Sequence, residues 1–156
     1  MLGERFLRTA VEALAGLAGK VRAIVVDPAG VLGAEGRDHI LVRDHVPQLA
    51  LLERVDAVVC HAGHNTVCET LWHGLPLVVA PIRDDQPIVA GQVADAGAGV
   101  RVRFGRVSAA QLAAAIEAVL DQEADYRAAA ERIARSFHSA GGTRTAADRL
   151  VNLLAR

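Results

Sequence analysis

DAVVCHAGHNTVCETLWHGLPLVVAPIRDDQ, residues 56–86, is the stretch from which the rest of the chain is read. Ala57-Val58-Val59-Cys60 is a short apolar run rich in β-branched residues, which predicts a buried strand. His61-Ala62-Gly63-His64-Asn65-Thr66 follows at once. After it, residues 67–73 have helical spacing and stop at Gly74. A second apolar run, Leu77-Val78-Val79-Ala80, is closed by Pro81. Strand, glycine turn, helix and strand make one parallel βαβ unit with its tight turn at the strand's carboxyl end. Such a turn sets free backbone N–H groups and the positive end of a helix dipole beside the strand tip. A phosphate fits there.

The flanking sequence extends the same alternation. Residues 4–19 predict an amphipathic helix with Phe6, Leu7, Val11, Leu14 and Leu17 toward one side and Gly19 as its C-terminal cap. Ala23-Ile24-Val25-Val26 is a buried strand broken by Asp27-Pro28-Ala29-Gly30. A Gly-rich, charged loop over 30–38 leads to a short strand over 39–42 and a helix from Pro47 through Arg54. Beyond the central unit, Asp84-Asp85-Gln86-Pro87 opens a helix with acids in its first turn. Residues 100–102 are a last strand, and Ser108 caps a helix running to Leu120. Two Ala-rich helices over 123–137 and 143–154 close the chain. Near-continuous apolar strands alternating with helices predict an α/β, Rossmann-like parallel sheet with helices on both faces. A nucleotide-binding half of that kind opens on a strand, whereas this chain opens on a helix. The sheet is therefore expected to lack its first strand.

Composition removes several function classes. At 156 residues the chain is long enough to bury a core unaided. Its net charge of −1 offers no electrostatic case for nucleic acid. Cys60 and Cys68 flank a strand–helix turn and are expected to be reduced and structural, in a cytoplasmic setting. No apolar run approaches the roughly 18 residues of a membrane span, and no signal-peptide core is recognised at the N-terminus.

At the central stretch a resemblance becomes specific. Val46-Pro47-Gln48, His61-Ala62-Gly63-His64-Asn65-Thr66, Glu69, Gly74-Leu75-Pro76, Pro81 and Asp85-Gln86 resemble the donor-binding signature of the GT-B fold, family 1 (UDP-glycosyltransferase-like) enzymes. The likeness is nearest to bacterial members that glycosylate natural products, glycolipids or antibiotics. It extends over nearly the whole chain, through Gly141-Gly142-Thr143 and the final helix, and matches the C-terminal half only. The implied organisation is one nucleotide-sugar donor-binding domain over residues 1–156, with the N-terminal acceptor-binding half absent.

The roles that the resemblance implies agree with the chemistry of the residues. His61 at the strand tip would hydrogen-bond the donor diphosphate and stabilise charge on the leaving nucleoside diphosphate. Gly63, His64, Asn65 and Thr66 would complete the diphosphate site, Gly63 by letting the backbone approach and Thr66 through its hydroxyl and N–H. Glu69 would accept from the ribose hydroxyls, and Asp85 and Gln86 would read the sugar. His45, Val46 and Gln48 would hold the base, His45 standing where many relatives carry Trp or Phe. No metal and no cofactor is implied.

Each residue also has a plainer reading. Alone, His61 is a surface or packed imidazole, Glu69 a solvated helix face, Thr66 an N-cap, and Asp84-Asp85 helix-start acids. The order and spacing of the whole set carry the functional reading. Cys60, His61, His64, Cys68 and His73 invite thoughts of zinc, but paired Cys-x-x-Cys or His-Glu-x-x-His spacing is missing. Residues 24–32 echo the first motif of haloacid-dehalogenase-type phosphatases. Ala29 stands where that chemistry needs a second aspartate.

The implied reaction is inverting, metal-independent transfer of a hexose or deoxyhexose from a UDP- or dTDP-sugar to an acceptor hydroxyl. Its general base would lie in the missing half, so no catalytic residue is assigned here. Two alternatives keep the fold. In one, the chain is the donor-binding subunit of a two-chain N-acetylglucosaminyltransferase, completed by a partner chain. In the other it is a non-catalytic relic that binds diphosphates. Self-association through an open sheet edge is a further expectation, as is a cytoplasmic location with peripheral contact at the inner membrane face.

Overall fold

Leu77, Val78 and Val79 are completely shielded from solvent, and the architecture is built around them. The computed structural model describes residues 2–33 and 37–154. In chain order the elements are α1 (Leu2–Gly16), β1 (Ala23–Val26), β2 (Ile40–Arg43), α2 (Gln48–Leu52), β3 (Val58–Cys60) and α3 (His64–Trp72). There follow β4 (Leu77–Val79), α4 (Gln86–Asp95), β5 (Gly99–Arg101), α5 (Ala109–Leu120), α6 (Tyr126–Ser139) and α7 (Gly142–Leu154).

β4 lies between β3 and β5, all parallel, with Val58 opposite Leu77 and Leu77 opposite Gly99. Successive side chains of a strand point to opposite faces, so β4 feeds two cores. Val78 joins Val11, Leu14, Val25, Leu112 and Ile116 beneath α1 and α5. Leu77 and Val79 join Val67, Leu71, Val89, Val93 and Ala130 beneath α3, α4 and α6. Burying each of these larger aliphatic side chains contributes about 1.5–3 kcal/mol. Gly99 makes the β4–β5 approach possible, since a Cβ there would lie 2.2 Å from the Leu77 carbonyl oxygen.

The expected layering of parallel strands between helices is what is observed, with the strands in two hydrogen-bonded groups. β1 and β2 pair in parallel with each other, Ala23 opposite Ile40, and neither pairs with β3. β1 reads as a doubly buried strand, yet Ile24 and Val26 are each about two-fifths exposed. On the other face Val25 is buried, because α1 covers that side.

Several boundaries differ from the sequence expectation for local reasons. α3 starts at His64 rather than Val67, with Gly63 as its N-cap. The acids of 84–85 precede α4 instead of filling its first turn. α6 starts at Tyr126 because Asp121 Oδ1 accepts from the Glu123 N–H and holds a turn ahead of it. α5 has the expected Ser108 cap, strengthened by a reciprocal bond from the Ser108 N–H to Gln111. α7 buries no residue, and Leu150, Leu153 and Leu154 are exposed along it.

Candidate functional site

Parallel pairing of β3 with β4 brings their following loops to one edge of the sheet. Cys60 lies opposite Val79, and the Ala80 N–H donates to the Cys60 carbonyl at 2.8 Å. The loop over 61–63 and the loop over 80–85 therefore leave side by side. This is the carboxyl edge, where open α/β sheets place ligands.

The turn at 61–63 differs in detail from a glycine turn. The left-handed backbone conformation belongs to Ala62, at φ +65°, and Ala62 is fully buried. Such a conformation in a non-glycine residue costs about 1–3 kcal/mol and is held by its surroundings. Gly63 has an ordinary extended conformation, φ −61° and ψ 133°. Its lack of a side chain serves another purpose: a Cβ there would lie 2.8 Å from His61 Nε2. His61 itself is exposed at the strand tip, and no hydrogen-bond partner for its ring occurs among the described residues.

α3 begins without a capping side chain. The Val67 N–H reaches the Gly63 carbonyl, while the N–H groups of His64, Asn65 and Thr66 have no acceptor among the described residues. These are the orphan donors that a helix start offers to an anion. The Thr66 carbonyl accepts from the Thr70 hydroxyl at 2.7 Å, one turn on.

Glu69 and Gln48 are brought together across the crossover between β2 and α3. Gln48 Nε2 donates to Glu69 Oε2 at 2.5 Å, joining the segment expected to hold the base to the residue expected to hold the ribose. His45 is exposed, and its N–H donates to Asp44 Oδ1. Val46 is half-buried.

Asp85 is exposed at the start of α4 with no cap bond from its carboxylate. Gln86 is partly committed: its Oε1 accepts from the Ile82 and Arg83 N–H groups, at 2.9 and 3.1 Å. Only its amide N–H groups remain to meet a ligand. Asp84, at φ +56°, turns the chain between them.

His64 Nε2 and Cys68 Sγ lie 3.6 Å apart on one helix face. No group of three His, Cys, Asp or Glu side chains able to hold a metal occurs among the described residues. Burial pushes both thiols above their ordinary range, Cys60 against the sheet and Cys68 on the helix, so they are poor nucleophiles at neutral pH.

Two features of the site escaped the sequence. The strained residue is Ala62, where residue type points to glycine. Asp27, at the carboxyl end of β1, is buried: Oδ2 accepts from the Leu32 N–H at 2.8 Å, and Oδ1 has no partner among the described residues. Its place after an apolar strand is the one signal that could have marked it.

The family model for UDP-glucoronosyl and UDP-glucosyl transferase matches residues 27–140. The chain belongs to that family. It is 37% identical over 114 residues to an uncharacterised UDP-glucosyltransferase, YojK, of Bacillus subtilis, covering 73% of this chain and 28% of that protein. It is 33% identical over 151 residues to 4'-demethylrebeccamycin synthase of Lentzea aerocolonigenes, covering 97% and 35%. Among solved structures it resembles the glycotransferase of kitacinnamycin, with a TM-score of 0.87, 30% identity, and coverage of 95% and 39%. The chain thus has the GT-B type of α/β fold and spans well under half the length of these UDP-glycosyltransferase relatives. No described helix is long and apolar enough to cross a membrane.

Proposed function

We propose that this chain is the donor-binding part of a glycosyltransferase that moves a hexose or deoxyhexose from a UDP- or dTDP-sugar to an acceptor hydroxyl. The uncapped start of α3, beside His61 on the carboxyl edge of the sheet, carries this reading. Three unpaired N–H groups, the dipole of a nine-residue helix and an exposed imidazole meet where a diphosphate would sit. Glu69 stands one turn along that helix, positioned by Gln48 to accept from ribose hydroxyls. Asp85 and the amide group of Gln86 follow the neighbouring strand and supply sugar-reading groups.

Charge that gathers on the leaving diphosphate would be met by His61 and the helix start, so the site needs no divalent cation for that step. Inversion by direct displacement requires a base near the acceptor hydroxyl. We assign that base to an acceptor-binding half outside these residues. Relatives named as a rebeccamycin-type synthase and a kitacinnamycin glycotransferase favour a natural product as the acceptor.

The test is calorimetric titration of the chain with UDP and dTDP in the presence of a chelator. Binding by the intact chain and a loss of about 1.5–3 kcal/mol in His61→Ala are expected, the worth of a hydrogen bond to a charged group. Equal affinities for the two proteins would remove His61 from the site.

A further inference from the structure

We propose that the hollow between the end of α3 and the outer face of α6 is a saccharide-binding site. It is separate from the donor site and takes a neutral pyranose or a short glycan.

The hollow follows from how the chain leaves α3. Trp72 is the last residue of that helix, His73 is its C-cap, and Gly74 reverses the chain at φ +68°. Glycine is needed there twice over. The conformation is left-handed, and a Cβ would lie 3.1 Å from Glu131 Cγ of α6. α6 therefore passes directly over the turn. Its residues 131, 134, 135 and 138 follow the i, i+3, i+4, i+7 spacing of one helix face. Glu131, Ala134, Arg135 and His138 accordingly line one side, and residues 72–74 line the other, around about 350 Å³. Trp72 remains 44% exposed, and its ring stands at 65° to that of His138 with centroids 4.2 Å apart.

The polar groups of the hollow are mostly uncommitted. Glu131 pairs with Arg127 at 3.8 Å. The Trp72 indole N–H, the Arg135 guanidinium and both imidazoles have no hydrogen-bond or ion-pair partner among the described residues. The walls thus offer an aromatic surface, donors on Trp72 and Arg135, an acceptor on Glu131, and imidazoles able to serve as either. An anion in this space would face Glu131, and a cation would face Arg135. An apolar guest would strip water from both charges with no hydrogen bonds in return. A sugar ring answers every wall. Its C–H face packs on the indole, and its hydroxyls donate and accept around the rim. The planar forks of Arg135 and Glu131 suit pairs of neighbouring hydroxyls. Ligand sites run from about 300 to 1,000 Å³, so a hollow at the small end takes a short saccharide.

Position separates this site from the one at His61. α3 has nine residues, and at 1.5 Å each its far end lies about 13 Å from the start that faces the donor edge. The argument uses no donor-site residue, and a chain that failed to bind UDP would still take the saccharide.

Trp72 is the only tryptophan of the chain, so its fluorescence reads this hollow directly. Titration at constant pH with methyl β-glucopyranoside, methyl α-mannopyranoside and cellobiose should give a saturable change at millimolar concentration for at least one of them. Benzoate and inorganic phosphate should give none. Arg135→Ala and Glu131→Ala should each weaken the response at least tenfold, whereas Asp85→Ala on the donor edge should leave it intact. Circular dichroism checks that each variant is folded, and Arg135→Met replaces Arg135→Ala if that variant is not. No saturable response to any of the three saccharides, an equal response to benzoate or phosphate, an unchanged response in the Arg135 and Glu131 variants, or its loss in Asp85→Ala would each overturn the proposal.

Discussion

The imidazole of His61 occupies the volume that a side chain on Gly63 would need, with Nε2 only 2.8 Å from the nearest Cβ position. Gly63 is thus required by its neighbour two residues back rather than by its own backbone angles, which any residue can adopt. Gly63→Ala should leave stability within about 0.5 kcal/mol if the ring can swing away. It should still lower UDP affinity about tenfold, near 1.4 kcal/mol, by moving the ring from the helix start. The double variant His61→Ala/Gly63→Ala should bind no worse than His61→Ala alone, since the two changes remove one interaction. Calorimetry on the three variants decides it, and additive losses would refute the shared-volume account.

Glu69 is predicted to act on the nucleoside and not on the phosphates. Glu69→Ala should weaken UDP by about 1.5–3 kcal/mol, as expected for a lost hydrogen bond to a charged group, and leave inorganic pyrophosphate nearly unaffected. Gln48→Ala, which frees the carboxylate held at 2.5 Å, should show a smaller loss in the same direction. Parallel titrations with the two ligands give the comparison. Equal losses would mean that Glu69 acts through folding.

Gly99 sets the spacing between β4 and β5. A methyl group there would meet the Leu77 carbonyl oxygen at 2.2 Å and Val93 Cγ1 at 2.9 Å. Neither can retreat without opening the strand pair, so Gly99→Ala should destabilise the fold by about 1–3 kcal/mol or more. Urea unfolding of the variant measures this directly.

Alkaline pH should weaken the fold through Cys60. Desolvation raises its thiol pKa in the folded state, so the neutral thiol is favoured there. Between the unfolded and folded values the unfolded chain binds fewer protons, and stability falls as pH rises. The contribution is complete below about pH 8.5, the ordinary thiol value, and is lost as pH climbs through the raised one. Unfolding midpoints for wild type and Cys60→Ala between neutral and strongly alkaline pH should converge as this contribution disappears.

Under the proposed function, the chain alone should bind nucleoside diphosphates without transferring sugar, because the acceptor side and its base lie elsewhere. Radiolabelled UDP-sugar turnover should be absent for the 156-residue chain and present when an acceptor-binding half is supplied. Sustained transfer by the chain alone would place a base within it, with exposed His45 the first to replace.

Much of the fold was legible because the apolar runs and their punctuation agree at every scale. Ala57 to Cys60, Val67 to His73 and Leu77 to Ala80 read as strand, helix and strand, and the structure has β3, α3 and β4 there with ends shifted by up to three residues. The start of α3 was misplaced because His64, Asn65 and Thr66 carry no apolar period, while the cap is set by backbone alone. Ala62 was invisible because residue type puts left-handed conformations on glycine, whereas burial imposes this one. The Gln48–Glu69 bond joins residues 21 positions apart, beyond any local pattern. Position alone marks Gln86 as a ligand group, whereas half of its amide braces the loop before it. β1 looked covered on both faces because its residues fit such a place, and composition does not show which neighbours are present.

The break between the two strand groups also bears on how the molecule comes apart. Without hydrogen bonds from β1 to β3, α1, β1 and β2 are joined to the rest largely through the seam between α1 and α5. A seam of side chains transmits unfolding less sharply than a backbone ladder, and regions joined in this way open as separate units. The amino-terminal hairpin of elements should therefore melt at lower denaturant than the β3–β5 layer. A donor nucleotide held by α3 would then steady the second unit while leaving the first nearly as labile as before.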